Sequence, residues 1–328
     1  METSELELVI AGVLSGDRTW LAKAITLVES STPDDRDKAS ELLASITSHA
    51  GGSRRIGITG SPGVGKSTFV DEFGTYLTEL GHKVAVLAVD PSSSISGGSI
   101  LGDKTRMDRL SSNPNAFIRP SPSSGVLGGV AKGTRETILV LEAAGFDVVL
   151  IETVGVGQSE AIVSEMVDFF LVLLLPGSGD SLQGIKKGVL ELADLVAVNK
   201  ADGENELRAR QSARDYQSAM TLLSSANTEW NPPVVTCSGL TGQGIPAIWE
   251  QIDIHQEHML GNGNWEKRRS RQQIRWMWAL VEDQLINNLK EKPEIASIVL
   301  EIEEEILNDG LSPFQAAERI IQLFRKEE

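Results

Sequence analysis

Eight consecutive residues, Gly60-Ser61-Pro62-Gly63-Val64-Gly65-Lys66-Ser67, have the spacing G-x-x-x-x-G-K-[ST]. The glycines let backbone N–H groups turn inward as a nest for an anion. Lys66 puts a point charge on the β- and γ-phosphates of a nucleotide, and the Ser67 hydroxyl is a ligand for Mg²⁺. The motif carries this meaning only between a strand and a helix. Here the apolar run Ile56–Thr59 precedes it and a helical stretch from Phe69 to Leu80 follows, with Thr68 at the junction among the nucleotide-binding positions. The dipole of that helix adds to the anion site.

A second motif chooses the base. Asn199-Lys200-Ala201-Asp202 ends the run Leu195–Val198. The Asp202 carboxylate can accept from both N1–H and the exocyclic N–H of guanine. Adenine lacks that donor pair and would leave the acid unpaired. The Lys200 stem can cover the base plane. The next strand runs into Ser238-Gly239-Leu240, whose amides can approach the guanine carbonyl. Phosphate loop and base motif together imply bound GTP or GDP.

Mg²⁺ on a phosphate keeps several waters and takes few carboxylates. Asp90 ends the run Val84–Val89, Glu152 ends Val148–Ile151, and Asp103 lies in the glycine-rich stretch 97–106. With Ser67 these are the candidate metal residues. Glu152-Thr153-Val154-Gly155 fills the slot where many GTPases carry D-x-x-G, so the Gly155 amide can sense a γ-phosphate. Lys66, Glu152 and Gly155 are therefore the expected catalytic set. No glutamine directly follows Gly155 to position water, and Gln158 is a weaker candidate. Slow hydrolysis, accelerated by a partner, is expected.

The elements that must position these residues are readable too. Short, nearly continuous apolar runs alternate with helical stretches from Arg54 onward: Ile56–Thr59, Val84–Val89, Val148–Ile151, Phe169–Leu175, Leu195–Val198 and Val234–Cys237. Such runs are what parallel strands covered on both faces look like. They predict an α/β fold, a doubly wound, mostly parallel sheet with its ligand at the carboxyl ends of the strands. Residues 1–52 read as a helical N-terminal extension, 53–260 as the nucleotide domain and 261–328 as a helical C-terminal arm. Thr32-Pro33 reads as a helix start with a capping hydroxyl. Trp276, Met277 and Trp278 read as core, and Lys267-Arg268-Arg269 as a solvated helix start. His255 and His258, at i and i+3 without a third ligand, read as no metal site.

Composition excludes other classes. Lys and Arg number 30 against 46 Asp and Glu, a net charge of −16. That field disfavours nucleic acid and anionic membranes as partners. One cysteine, Cys237, permits neither an intramolecular disulfide nor a thiolate metal site. No apolar run is long enough to span a bilayer, and the acidic start is unlike a signal peptide, so a cytoplasmic location is expected.

The motifs in series resemble the MeaB/ArgK family of the SIMIBI class of P-loop GTPases. The resemblance rests on residues 60–68, Val89 to Ser93, Gly97 to Met107, Glu152 to Glu160, Gly184 to Gly188 and Asn199 to Asp202. It implies a GTPase chaperone of adenosylcobalamin-dependent methylmalonyl-CoA mutase or a close relative, one that gates cofactor loading and protects or reactivates the mutase. It implies a homodimer joined through the C-terminal arm, and Mg²⁺ among Ser67, Asp90, Asp103 and Glu152. It also implies a partner-facing switch over residues 176–188, with Asp180 and Lys186 matching its pattern and Ser181 replacing a usual acid. Other classes compatible with the residues are a P-loop kinase linked to amino-acid transport, a nickel-delivery GTPase and a scaffold that only binds GTP.

Overall fold

The computed structural model describes residues 4–30, 32–89, 107–121, 127–153, 159–177, 187–223, 230–308 and 310–325. Among the described residues, seven strands form one sheet: β1 (Arg54–Gly60), β2 (Val84–Val89), β3 (Ala116–Ser121), β4 (Val148–Thr153), β5 (Phe169–Leu174), β6 (Leu195–Val198) and β7 (Val234–Thr236). Their order is β3-β2-β4-β1-β5-β6-β7 and every pairing is parallel. The doubly wound parallel sheet expected from the apolar runs is thus present.

Period-two alternation explains why those runs are continuous. On β2, Val84 and Val86 enter one core while Ala85, Leu87 and Val89 enter the other. On β4, Val148 and Leu150 oppose Val149 and Ile151 in the same way. Helices Lys66–Glu79 and Ile245–Gly261 close one face through Phe69, Phe73, Ile248 and Trp249. Helices Leu127–Ala143 and Glu206–Leu223, with the N-terminal helices, close the other.

Strand β3 was not anticipated from sequence. Its segment Ala116-Phe117-Ile118-Arg119-Pro120 holds a charge and a proline, and proline is tolerated at an edge where its missing N–H faces away from the ladder. The edge is covered from the N-terminal extension. Arg18 donates to the Ala116 carbonyl, and Arg119 pairs with Glu29. A covered edge is one less template for aggregation.

The extension comprises helices Glu5–Leu14, Arg18–Glu29 and Pro33–Ile46, packed on Leu127–Ala143. Proline opens the third helix as expected, but Thr32 does not cap it. Its hydroxyl instead donates to Asp35 Oδ2 at 2.7 Å, where Ser30 Oγ also donates at 2.6 Å.

The reading of Arg268 and Arg269 as solvated is corrected. Arg269 makes a fork with Asp168, Nε to Oδ1 at 2.8 Å and Nη2 to Oδ2 at 2.7 Å, and also donates to the Gly51 and Ser53 carbonyls. Arg268 reaches both Asp194 oxygens, at 3.3 and 3.0 Å. Asp168 and Asp194 immediately precede β5 and β6, so the two arginines fasten the start of helix Asn264–Glu291 to the amino ends of two central strands. Burial pushes the Asp194 carboxyl up, but Arg268 and His255 overcome it and hold the group below the ordinary aspartate value.

By contact density the chain forms two compact units, residues 1–272 and 273–328. The second comprises the end of helix Asn264–Glu291 and helices Pro293–Leu307 and Pro313–Arg325. Its own core holds Ile295, Ile302 and Ala316, and Arg319 pairs with Glu305 at 3.2 Å. Met277 and Trp278 are 49% and 58% exposed, so they are not core of this single chain. Among the described residues, no helix is long and apolar enough to cross a membrane.

Candidate functional site

The carboxyl ends of β1, β4 and β6 converge on one corner of the sheet, as the strand order requires. Gly60 ends β1, and the loop turns through Gly63 (φ 81°) and Gly65 (φ 93°) into the helix Lys66–Glu79. Both angles lie in the left-handed region that glycine enters freely. A Cβ at Gly65 would stand 3.1 Å from Asn199 Nδ2, so the position is constrained by space as well.

Lys66 folds back into its own loop, donating to the Gly60 carbonyl at 2.8 Å and toward Ser61 at 3.4 Å. It is only 8% exposed. Burial pulls its ammonium below the ordinary lysine value, against the opposing charges of Glu152 and Glu160. Next to it, Ser67 Oγ donates to Glu152 Oε1 at 3.0 Å. The hydroxyl and the carboxylate expected at the metal are therefore brought together across 85 residues of chain. Beneath them Thr153 Oγ1 donates to Thr59 Oγ1 at 2.8 Å in a buried bond that ties β4 to β1 at the loop's root. This tie was missed, because neither threonine belongs to a motif on its own.

The base motif docks on the phosphate loop. Asn199 Nδ2 donates to the Val64 carbonyl at 2.9 Å, and Asn199 Oδ1 accepts from the Gly239 amide at 3.0 Å. Lys200, at φ 59°, sends Nζ to the Gly63 carbonyl at 2.8 Å. A side chain with positive φ is a local strain that surrounding contacts must hold, and here it lays the lysine stem along the loop. Ser238 donates to Asp202, and the Leu240 and Thr241 amides donate back to Ser238 Oγ at 3.3 and 3.2 Å. Gly239 lies so close to the helix start that a Cβ would meet Phe69 Cα at 2.8 Å. Leu240 is 75% exposed.

Gly60 through Thr68, Asn199, Lys200, Asp202, Ser238 and Gly239 thus share one corner with Glu152. Asp90, Asp103, Gly155, Gln158, Asp180 and Lys186 lie outside the described residues.

Cys237 is buried beside this corner, and burial pushes its thiol up to about 12. It is no thiolate ligand. His255 is enclosed by the rings of Phe169 and Trp230, at 5.0 and 4.9 Å, which accounts for its place as a core residue.

Comparison with known proteins agrees with this corner. A putative GTPase of Caulobacter vibrioides is 55% identical over 95% of both chains. A mouse protein called methylmalonic aciduria type A homolog, mitochondrial, is 44% identical over 96% of this chain and 78% of its own. A crystal structure titled LAO/AO transport system kinase superposes with a TM-score of 0.74 at 36% identity, covering 99% of each chain. The model of the family described as methylmalonyl Co-A mutase-associated GTPase MeaB matches residues 21–294. With a phosphate loop, a guanine motif and a match across most of its length, this chain belongs to the MeaB family and is a GTPase.

Proposed function

We propose that this GTPase is a nucleotide-gated chaperone of an adenosylcobalamin-dependent acyl-CoA mutase, methylmalonyl-CoA mutase or a close relative, acting as a homodimer on cofactor loading and on protection or reactivation of the mutase. The observation that carries the reading is the Ser67–Glu152 hydrogen bond. It links the phosphate loop to the first residue of the segment Glu152 to Glu160, so occupancy of the loop can be passed to a segment able to face a partner. The family description supplies the mutase.

Ser67 and Glu152 are hard oxygen donors of the kind Mg²⁺ takes, and they stand 3.0 Å apart. They fit that ion, and Asp90 and Asp103 complete the proposed set. Bound there, Mg²⁺ would neutralise charge developing on the phosphates. The chain's own contribution is positioning. Gly60 to Thr68 cradle the phosphates, Lys66 leaves the Gly60 carbonyl for a phosphate oxygen, and Asp202, held by Ser238, accepts from guanine. Gly155 is assigned the γ-phosphate contact, and Asp180 and Lys186 the partner switch.

Three parts are proposed to divide the work: residues 1–52 buttress the sheet, 53–260 turn over nucleotide, and 261–328 form the dimer arm. Ile274, Met277, Trp278, Val281 and Leu285, exposed along one helix at helical spacing, support the arm's role. An amino-acid-transport kinase would instead leave phosphate on an acceptor. A nickel-delivery role would need soft ligands, against which the protonated Cys237 argues.

The deciding experiment is a pull-down in GDP and in a non-hydrolysable GTP analogue. A cobalamin mutase is expected in one state more than in the other, with inorganic phosphate as the product of GTP turnover. No mutase in either state, or a phosphorylated acceptor in place of inorganic phosphate, would overturn the reading.

A further inference from the structure

Strands β1 and β4 part at the phosphate loop. Their backbone pairing runs from Arg54↔Val148 to Ile58↔Glu152 and, among the described residues, ends there. β2 still accompanies β4 as far as Thr153, and β5 still accompanies β1 as far as Gly60. Where the next β1–β4 pair would stand, two side chains take over: Thr153 Oγ1 donates to Thr59 Oγ1 at 2.8 Å. Both residues are 1% exposed. Ligands of open α/β sheets bind in a crevice outside the carboxyl ends of the strands, and this bond lies at the root of such a crevice.

Successive residues of a strand point to opposite faces. Val148 and Leu150 enter the core that holds Phe69 and Phe73 of helix Lys66–Glu79, and Glu152 follows them, its Oε1 accepting from Ser67 at 3.0 Å. Val149 and Ile151 enter the other core, and Thr153 follows them. The end of β4 is therefore held to the phosphate loop and its strand from both sides of the sheet. One of the two ties stands at the proposed ion: Ser67 and Glu152 both meet Mg²⁺, so their bond must adjust when the ion arrives. The threonine pair lies on the opposite face, closed off from water. Thr59 also precedes Gly60, whose carbonyl accepts from Lys66 at 2.8 Å.

We propose that Thr59 and Thr153 are positioning residues for the metal, a hydroxyl latch that sets the width of the crevice between β1 and β4 and so holds Glu152 at the distance from Ser67 that Mg²⁺ requires. The latch acts through Glu152, from the opposite face of the sheet. Without it Glu152 becomes the loose end of the β1–β4 ladder, and the ends of such ladders open most readily. The proposal rests on Ser67 and Glu152 being metal residues, and Mg²⁺ binding by the wild-type chain tests that separately.

Mg²⁺ titrated into the GDP complex of the full chain, with GDP affinity measured separately in EDTA, tests it. The variants are Thr153→Val, Thr153→Ser and the double variant Thr59→Val, Thr153→Val. Removing one hydroxyl strands the other in a buried place, so Thr153→Val should melt below wild type. Replacing both by apolar groups of the same shape should recover most of that stability. Mg²⁺ binding should not recover with it. It is expected about tenfold weaker in both Val variants, with GDP affinity in EDTA within about threefold of wild type. Thr153→Ser keeps the hydroxyl and should stay within about threefold on both readings. A merely structural pair predicts that the double variant regains Mg²⁺ affinity together with stability, and that result overturns the proposal. An equal loss of GDP affinity in EDTA also overturns it, since the damage would then be to the phosphate loop at large. So does Mg²⁺ binding by Thr153→Ser as weak as that of Thr153→Val. Should the double variant not fold, Thr153→Val carries the same comparison. Failure of both to fold makes the pair a requirement of the fold and overturns the proposal too. A wild-type chain whose GDP affinity is the same with and without Mg²⁺ would instead remove the metal reading beneath it.

Discussion

Asn199 Nδ2 lies 2.9 Å from the Val64 carbonyl, joining the base motif to the phosphate loop across 135 residues of sequence. Its Oδ1 meanwhile accepts from Gly239. One buried amide therefore sets the distance between the phosphate grip, the base reader and the loop that follows β7. Asn199→Ala leaves a buried carbonyl and a buried N–H without partners. The expected loss of stability is about 2–6 kcal/mol, since each of the two unsatisfied groups costs about 1–3. GDP and GTP should weaken together, because the two halves of the site lose their common spacing. Urea melts and calorimetry on the same preparation check both, and a variant of unchanged stability would contradict the bridge.

Asp202 tests the base reader alone. The hydroxyl of Ser238 holds its carboxylate without filling both acceptor positions. Asp202→Asn replaces one acceptor by a donor, so guanine meets an N–H where it needs an oxygen. GDP affinity should fall by roughly 10²–10⁴. Xanthosine diphosphate, with a carbonyl in place of the exocyclic amine, should bind the variant better than it binds wild type. Unaltered preference for GDP would place base recognition elsewhere.

Glu142 gives a pH signature. Burial pushes its carboxyl up, but the Arg55 fork at 2.8 and 2.9 Å, the Ser53 hydroxyl at 2.6 Å and the Gly51 amide at 2.7 Å overcome that and hold it below the ordinary glutamate value. A depressed carboxyl contributes stability that is complete above its unfolded value, about 4.5, and is lost as pH falls through the lower folded value. Glu142→Gln should therefore lower the melting temperature at pH 7, and the gap from wild type should narrow as the solution is acidified below about 4.5. A gap that stays constant with pH would mean that packing, not charge, is what Glu142 supplies.

Local chemistry made half of this site legible and long-range pairing hid the rest. The phosphate loop is written in adjacent residues, because its glycines are required by the turn itself. The central strands announce themselves, because burial on both faces asks for uninterrupted apolar runs such as Val84–Val89. Strand β3 has no such signal, since an edge tolerates Arg119 and Pro120 and exists only through its pairing with β2. Thr59 and Thr153 look ordinary until β1 and β4 are set side by side. Arg268 and Arg269 looked solvated because their acids stand 74 and 101 residues away. Sequence shows a charge, but only the fold shows whether it has been taken out of water.

The Arg269–Asp168 fork is the most demanding test of that point. Asp168 also accepts from the Arg55 amide at 2.9 Å, and Arg269 also holds the Gly51 and Ser53 carbonyls. Arg269→Met strands a buried carboxylate and should cost about 3–5 kcal/mol, the usual penalty for breaking a buried pair from one side. Asp168→Asn should cost less, because Arg269 keeps two carbonyls and its planar fork still stacks near the Trp265 ring, 4.9 Å away. The double variant Asp168→Asn, Arg269→Met should be more stable than the two single losses added, by about 1–3 kcal/mol, as expected for groups in direct contact. A solvated arginine would give the reverse pattern: single losses near zero and strict additivity. The cycle, read by urea unfolding, therefore decides whether the start of helix Asn264–Glu291 is fastened to the sheet through this ion pair or merely passes beside it.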